Sequence, residues 1–99
     1  MARSKVEQPI KAERIQKLLS GQPGWEHDHV LSAIRRTYRF PSFVAAIRFV
    51  DYVAQLAEEA DHHPDIDIRY DKVTLTLSTH SAGGITQKDF ALAQQIDLS

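Results

Sequence analysis

Hydrophobic residues recur along this chain with two different periods, and the switches between them mark out its elements. Ile10, Ile15, Leu18 and Leu19 stand among charged residues at helical spacing, which predicts a short amphipathic helix. Pro9 suits its first turn and Gly21 its C-terminal end. Gln22-Pro23-Gly24 reads as a turn. Trp25-Glu26-His27 and Ala33 to Phe40 then read as two strands, with Ile34, Arg36, Tyr38 and Phe40 on one face of the second. Ser42 is placed to cap a longer helix. Beyond it Phe43, Ala46, Ile47, Val50, Val53, Ala54 and Ala57 repeat at three-and-four spacing, with Arg48, Asp51, Gln55, Glu58 and Glu59 mostly elsewhere around the wheel. That helix must stop near His62, because Pro64 pushes His63 out of the helical region.

After Pro64 the period becomes two. Ile66, Ile68 and Tyr70 alternate with polar residues, as do Val73, Leu75 and Leu77, with Asp71-Lys72 as a two-residue turn between them. Setting Tyr70 opposite Val73, Ile68 opposite Leu75 and Ile66 opposite Leu77 puts all six apolar residues on one side. Ala82-Gly83-Gly84 forms a loop. Thr86-Gln87-Lys88-Asp89 then resembles a capping box, with Asp in place of Glu, opening a last helix through Phe90, Ala93 and Ile96. The order of elements predicts an α+β fold: a four-stranded antiparallel sheet with three helices packed on one face. No internal repeat or low-complexity segment is evident.

At 99 residues the chain is expected to be one domain spanning 1–99, with the polar residues 1–8 loose. With 42% hydrophobic and 25% charged residues it reads as an ordinary soluble globular protein. A formal net charge of -1 supplies no general attraction to nucleic acid or an anionic membrane. The absence of cysteine removes disulfides, thiolate nucleophiles and cysteine-ligated zinc, and fits a reducing compartment. The N-terminal charges have no apolar stretch behind them, so no signal peptide is expected. The longest apolar region is broken by Arg48 and Asp51, short of a membrane span. The expected localisation is cytoplasmic.

Three of the five histidines fall where this sketch converges. His62 ends the main helix and His63 begins the extended segment. Continuing the hairpin register sets His63 opposite His80, and residues directly opposite have β-carbons roughly 4.5–5.5 Å apart. Imidazole titrates nearest neutrality, so two or three together can hold an acid and a base at once. Glu58, one turn before His62, is placed to pair with it.

Plainer readings stand beside this one. A His-His pair at a helix end is often a solvated cap. Three imidazoles could also hold zinc with an open fourth position, but adjacent residues seldom aim both rings at one ion, and no HExxH spacing is present. His27-Asp28-His29 reads as a solvated turn before a metal site. Asp89 reads equally as a capping carboxylate or a catalytic one. Trp25 and Tyr70 read as core aromatics, and Arg35, Arg36 and Arg39 as a solvated face.

The run Glu58-x-x-Asp61-His62-His63-Pro64, followed by Tyr70, Val73, Leu75-x-Leu77-Ser78-Thr79-His80, Gly84-Ile85-Thr86 and Asp89, closely resembles the signature of the pterin-4a-carbinolamine dehydratases. Gly24-Trp25 and Phe40-x-x-Phe43 also match, so the resemblance runs from about residue 9 onward. It implies that His62, His63 and His80 are the catalytic residues, and that Asp61, Ser78, Thr79 and Ser81 line the pterin site. Glu58 and Asp89 are implied as supporting groups. The implied reaction is loss of water from a 4a-hydroxytetrahydropterin, without a metal or organic cofactor, in tetrahydropterin recycling. Implied partners are the pterin itself, further copies of the chain in a homodimer or homotetramer, and an aromatic-amino-acid hydroxylase that supplies the substrate. One place departs from the pattern: many relatives carry an aromatic residue where Ile66 stands. If that residue stacks on the pterin, affinity or epimer preference differs here. Relatives of this fold also act as a dimerisation cofactor for a transcription factor or as assembly-type factors, which is the competing expectation. Three intact histidines favour chemistry over a pure scaffold.

Overall fold

The computed structural model describes residues 8–98. Most of the N-terminal segment expected to be loose therefore lies outside the described residues. In chain order the elements are α1 (Ala12–Ser20), β1 (Glu26–Asp28), β2 (Ala33–Arg39), α2 (Phe43–Ala60), β3 (Asp65–Arg69), β4 (Lys72–Leu77), a 3-10 turn (His80–Ala82) and α3 (Gln87–Asp97). The strands form one antiparallel sheet in the order β1-β2-β4-β3. Three helices and a four-stranded antiparallel sheet are the α+β architecture that the hydrophobic pattern predicts.

One face of the sheet carries the core. Ile34 of β2 and Val73, Leu75 and Leu77 of β4 pack with Ile15 of α1, Ala46 and Val53 of α2, and Phe90, Leu92, Ala93 and Ile96 of α3. Burying each of the larger side chains stabilises the fold by about 1.5–3 kcal/mol. Ser42 caps α2, its hydroxyl accepting from the Ala45 N–H at 3.1 Å. At the other end Asp61 adopts a left-handed conformation with φ 51°, which Asp tolerates better than most residues. The Asp61 N–H donates to Glu58 O and the His62 N–H to Ala57 O. That closes the helix and turns the chain sharply.

Several local expectations are corrected. Pro9 lies outside α1, whose N-cap is Lys11; the Ile10 N–H instead donates to Ile85 O at 2.7 Å, tying the chain ahead of the helix to the loop before α3. Phe43 is half-exposed at the start of α2. Arg36 is not a free member of a solvated face, because its half-buried side chain has fixed partners. It stacks on Tyr38 and donates to Asp97 and to Pro23 O. Asp97 also accepts from the Trp25 indole and the Tyr38 hydroxyl, so one carboxylate fastens the end of α3 to the sheet. Burial and then this carboxylate push the Tyr38 hydroxyl well above its ordinary pKa. Gly24 sits against the same guanidinium: with φ 92°, a β-carbon there would lie 2.7 Å from Arg36. Trp25 is buried, as expected of a core aromatic.

The β3–β4 hairpin is displaced by two residues from the predicted register. Ile68 pairs with Val73, Ile66 with Leu75, and Arg69 with Lys72. The turn is therefore Tyr70-Asp71, and Tyr70 takes the positive φ of 57°. The cause lies in the neighbouring strand. Lys72 is held in the ladder by Arg39 of β2, and the Phe40 N–H donates to Asp71 O, so Lys72 cannot serve as a loop residue. A shift of two keeps every side chain on its face, and the apolar alternation survives. Tyr70 does not stay in it: it is 72% exposed and is no core aromatic. Ile66 and Ile68, on the edge strand, are 36% and 38% exposed, because the helices cover the sheet's centre rather than this margin.

Leu75→Ala is expected to cost about 2–5 kcal/mol and Ile68→Ala only about 1 kcal/mol, read from urea unfolding midpoints at unchanged slope. Equal losses would contradict the placement of β3 at an uncovered edge. A second expectation concerns pH. Burial, and after it the charge of His29, hold His27 below its ordinary value of 6.5 against an opposing pull from Asp28. The folded chain then binds this proton less readily than the unfolded one. The stability it contributes is complete above about pH 6.5 and is lost as pH falls through the lowered value. His27→Gln is expected to flatten the fall in melting temperature between about pH 7 and about pH 5.

Candidate functional site

The left-handed turn at Asp61 sends two adjacent histidines in different directions. His62 turns towards α3, its Nε2 lying 2.6 Å from Oδ1 of Asp89 and its side chain only 11% exposed. His63 turns back along α2, its Nε2 lying 2.6 Å from Oε2 of Glu58, with both groups exposed. The expected Glu58–His62 pair is thus replaced by Glu58–His63, because the chain reverses before His62 rather than after it.

Asp89 is both things it could have been. Its Oδ2 accepts from the Thr86 N–H at 2.9 Å as the carboxylate of the capping box, while its Oδ1 reaches His62. It is fully buried, and the Thr79 hydroxyl donates to Oδ2 as well. A buried carboxylate is tolerated when its acceptor positions are filled in this way.

His80 is not opposite His63. With Asp65 paired to Thr76, continuation of the true register would set His63 level with Ser78, and regular pairing ends there because Pro64 has no N–H to give. His80 reaches the site by another route. After β4 ends, Thr79 and Gly84 form a tight bridge, and the 3-10 turn between them carries His80 outward.

All three histidines line one cleft of about 270 Å³, together with Asp61, Ser78, Thr79, Ser81 and Lys88. Glu58 and Asp89 do not line it and stand behind His63 and His62. Two of the expected pterin-lining hydroxyls are already engaged: Ser78 donates to Ser32 O and Thr79 to Asp89. Ile66 is not among the lining residues. Lys88 was not anticipated. It also lines an apolar groove of about 370 Å³ between α2 and α3, which shares His62 with the cleft. The capping box held the signal for it, since fixing Asp89 at the third helical position presents its predecessor at the mouth of the site.

Among the described residues no group of three His, Cys, Asp or Glu side chains is arranged to hold a metal ion. His27 and His29 stack at 3.9 Å in a different cavity beside Gly83 and Gly84, and Asp28 accepts from the Leu31 N–H instead. No described helix is long and apolar enough to cross a membrane.

A half-covered antiparallel sheet with a histidine-lined cleft where α2, β4 and α3 meet defines a small class of α+β proteins. The family model for pterin 4 alpha carbinolamine dehydratase matches residues 8–98, and the chain belongs to that family. A relative from Roseiflexus sp. is 58% identical over 84% of this chain and 87% of its own, and one from Chloroflexus aurantiacus is 55% identical over 89% and 92%. Both carry a pterin-4-alpha-carbinolamine dehydratase name that is itself provisional. The crystal structure of a transcriptional coactivator/pterin dehydratase from Brucella melitensis superposes with a TM-score of 0.87 at 31% identity, covering 92% of this chain and 97% of that one. A pterin dehydratase-like protein identified as a RuBisCO assembly factor in the alpha-carboxysome gives a TM-score of 0.64 at 25% identity, covering 76% and 87%.

Asp89→Asn sets an amide N–H2 against either the two donors at the Oδ2 position or the His62 ring, and is expected to lower stability by roughly 2–4 kcal/mol. Glu58→Gln, at an exposed pair, is expected to stay within about 1 kcal/mol. Chemical denaturation of both variants checks the contrast.

Proposed function

We propose that this protein dehydrates a 4a-hydroxytetrahydropterin to the quinonoid dihydropterin and water, by histidine acid–base catalysis, in support of tetrahydropterin recycling. The observation that carries the reading is the convergence of His62, His63 and His80 on one cleft in a chain of this family. In the reaction the carbon–oxygen bond at the hydroxyl-bearing ring carbon breaks. The leaving hydroxide takes a proton to become water, and a neighbouring ring nitrogen gives up its proton as the carbon–nitrogen double bond forms. Nothing is oxidised or reduced overall, so two proton transfers suffice and no cofactor is called for.

In this account His63 and His80 flank the hydroxyl-bearing carbon, and His62 assists binding and proton exchange. Glu58 orients His63. Asp61 and Ser81 offer side chains to the pterin, and Ser78 and Thr79 contact it through groups other than their engaged hydroxyls. Lys88 adds a flexible amine-bearing side chain to the cleft lining, able to donate hydrogen bonds to the pterin. A hydroxylase acting on an aromatic amino acid is the expected source of the substrate, and the cytoplasm the expected compartment. Self-association as a homodimer or homotetramer fits the apolar Ile66 and Ile68 on the uncovered edge strand.

A second reading is a protein-interaction or assembly role, favoured by the carboxysome assembly factor that shares the fold. Stopped-flow kinetics with freshly generated 4a-hydroxytetrahydropterin, with and without a chelator, separate the two. The dehydratase reading expects chelator-insensitive turnover, lowered by about 10²–10⁴-fold in His63→Ala and in His80→Ala. Unchanged rates in both variants would sink the histidine assignment. A folded protein without activity would favour assembly.

A further inference from the structure

A hydroxyl group has one proton, and that fact sets the direction of every hydrogen bond behind His62. The Thr79 hydroxyl donates to Asp89 Oδ2 at 2.9 Å. Its oxygen lies 2.7 Å from the Thr86 hydroxyl, and with the Thr79 proton already given to Asp89, Thr86 must be the donor there. The Thr86 oxygen in turn accepts the Lys88 N–H at 3.2 Å, and the Thr86 N–H donates to Asp89 Oδ2 at 2.9 Å. Two donors therefore converge on Oδ2, and Oδ1 faces the Nε2 of His62 at 2.6 Å. Thr79, Thr86 and Asp89 are 3%, 1% and 0% exposed, so exchange with solvent does not readily reorder the chain of donors.

We infer that Thr86 is a positioning residue which, through Thr79 and Asp89, holds His62 as the Nε2–H tautomer and leaves Nδ1 as its lone-pair nitrogen. Asp89 is orientated by the relay with one oxygen reserved for the imidazole, and the second ring nitrogen is defined by what the first one bonds. This deepens the proposed function and rests on it for its catalytic meaning. In this tautomer His62 serves a pterin as a hydrogen-bond and proton acceptor: a ring N–H proton moves to Nδ1, and the leaving hydroxide takes its proton from His63 or His80. Thr86, the N-cap of α3, so acts on a nitrogen it never touches.

The test is two-bond 15N–1H correlation spectroscopy of histidine-labelled protein, which reports the tautomer of each neutral imidazole. The wild type and Thr86→Ser are expected to show the Nε2–H pattern at His62. Thr86→Val and Thr79→Val are expected to show mixed tautomers there. Turnover is expected to fall roughly tenfold in the valine variants with KM within about twofold, and to be restored in Thr86→Ser. Thr79→Val leaves the cap of α3 in place and carries the test if Thr86→Val does not fold. An Nδ1–H pattern in the wild type, or an undisturbed Nε2–H pattern in the folded valine variants, would overturn the inference. The spectra need no substrate, so an Nε2–H signal in a protein lacking dehydratase activity supports the tautomer assignment and removes only the proposed reaction.

Discussion

Asp89 has no exposed surface, yet its carboxylate meets hydrogen-bonding groups on three separate stretches of chain: the N-cap of α3, Thr79 two residues after β4, and His62 two residues after α2. A buried carboxylate is costly unless it is well hydrogen-bonded, so its presence commits those stretches to meet. The ends of α2, β4 and α3 are held together by it, and the cleft lies on their outer side. Helix capping and site geometry are one interaction here. A change at Asp89 is a change in both.

The reversal at Asp61 complements this constraint. Two histidines in sequence could have shared one environment. The left-handed residue before them instead gives each its own carboxylate, one sealed inside the fold and one on the surface. Equal contact lengths of 2.6 Å conceal unequal consequences. The exposed pair at His63 is screened by water and free to rearrange around a substrate, whereas the pair at His62 is fixed by the packing around it. The site thus combines one rigid imidazole with two, His63 and His80, that are exposed.

Most of this was legible in the residues. Hydrophobic period separates helix from strand, and the Thr86–Asp89 spacing announces a cap, because each is a local consequence of where side chains point. The hairpin register was less so. Its faces follow from period two, but its turn is selected by the ladder between Arg39 and Lys72, a contact with a strand more than thirty residues earlier. Tyr70 leaves the core for the same reason, being a turn residue at the end of an apolar alternation. His80 belongs in the cleft, although the expected cross-strand pairing with His63 does not bring it there. Partners of the charged groups were the least legible: neither the Glu58–His63 pair nor the inward role of Arg36 follows from spacing, since both depend on chain direction set by Asp61 and Asp97.

Family membership and the fold are compatible with chemistry and with assembly functions alike. The central claim is narrower: the three histidines of the cleft form one pterin site, and the stacked His27–His29 pair takes no part in it. The direct measurement is a titration of 15N-histidine-labelled protein with a 7,8-dihydropterin, following all five imidazoles. Signals of His62, His63 and His80 are expected to move together along one saturation curve while those of His27 and His29 stay in place. Movement confined to His27 and His29, or no movement at His62, His63 and His80 in a folded sample, would contradict it.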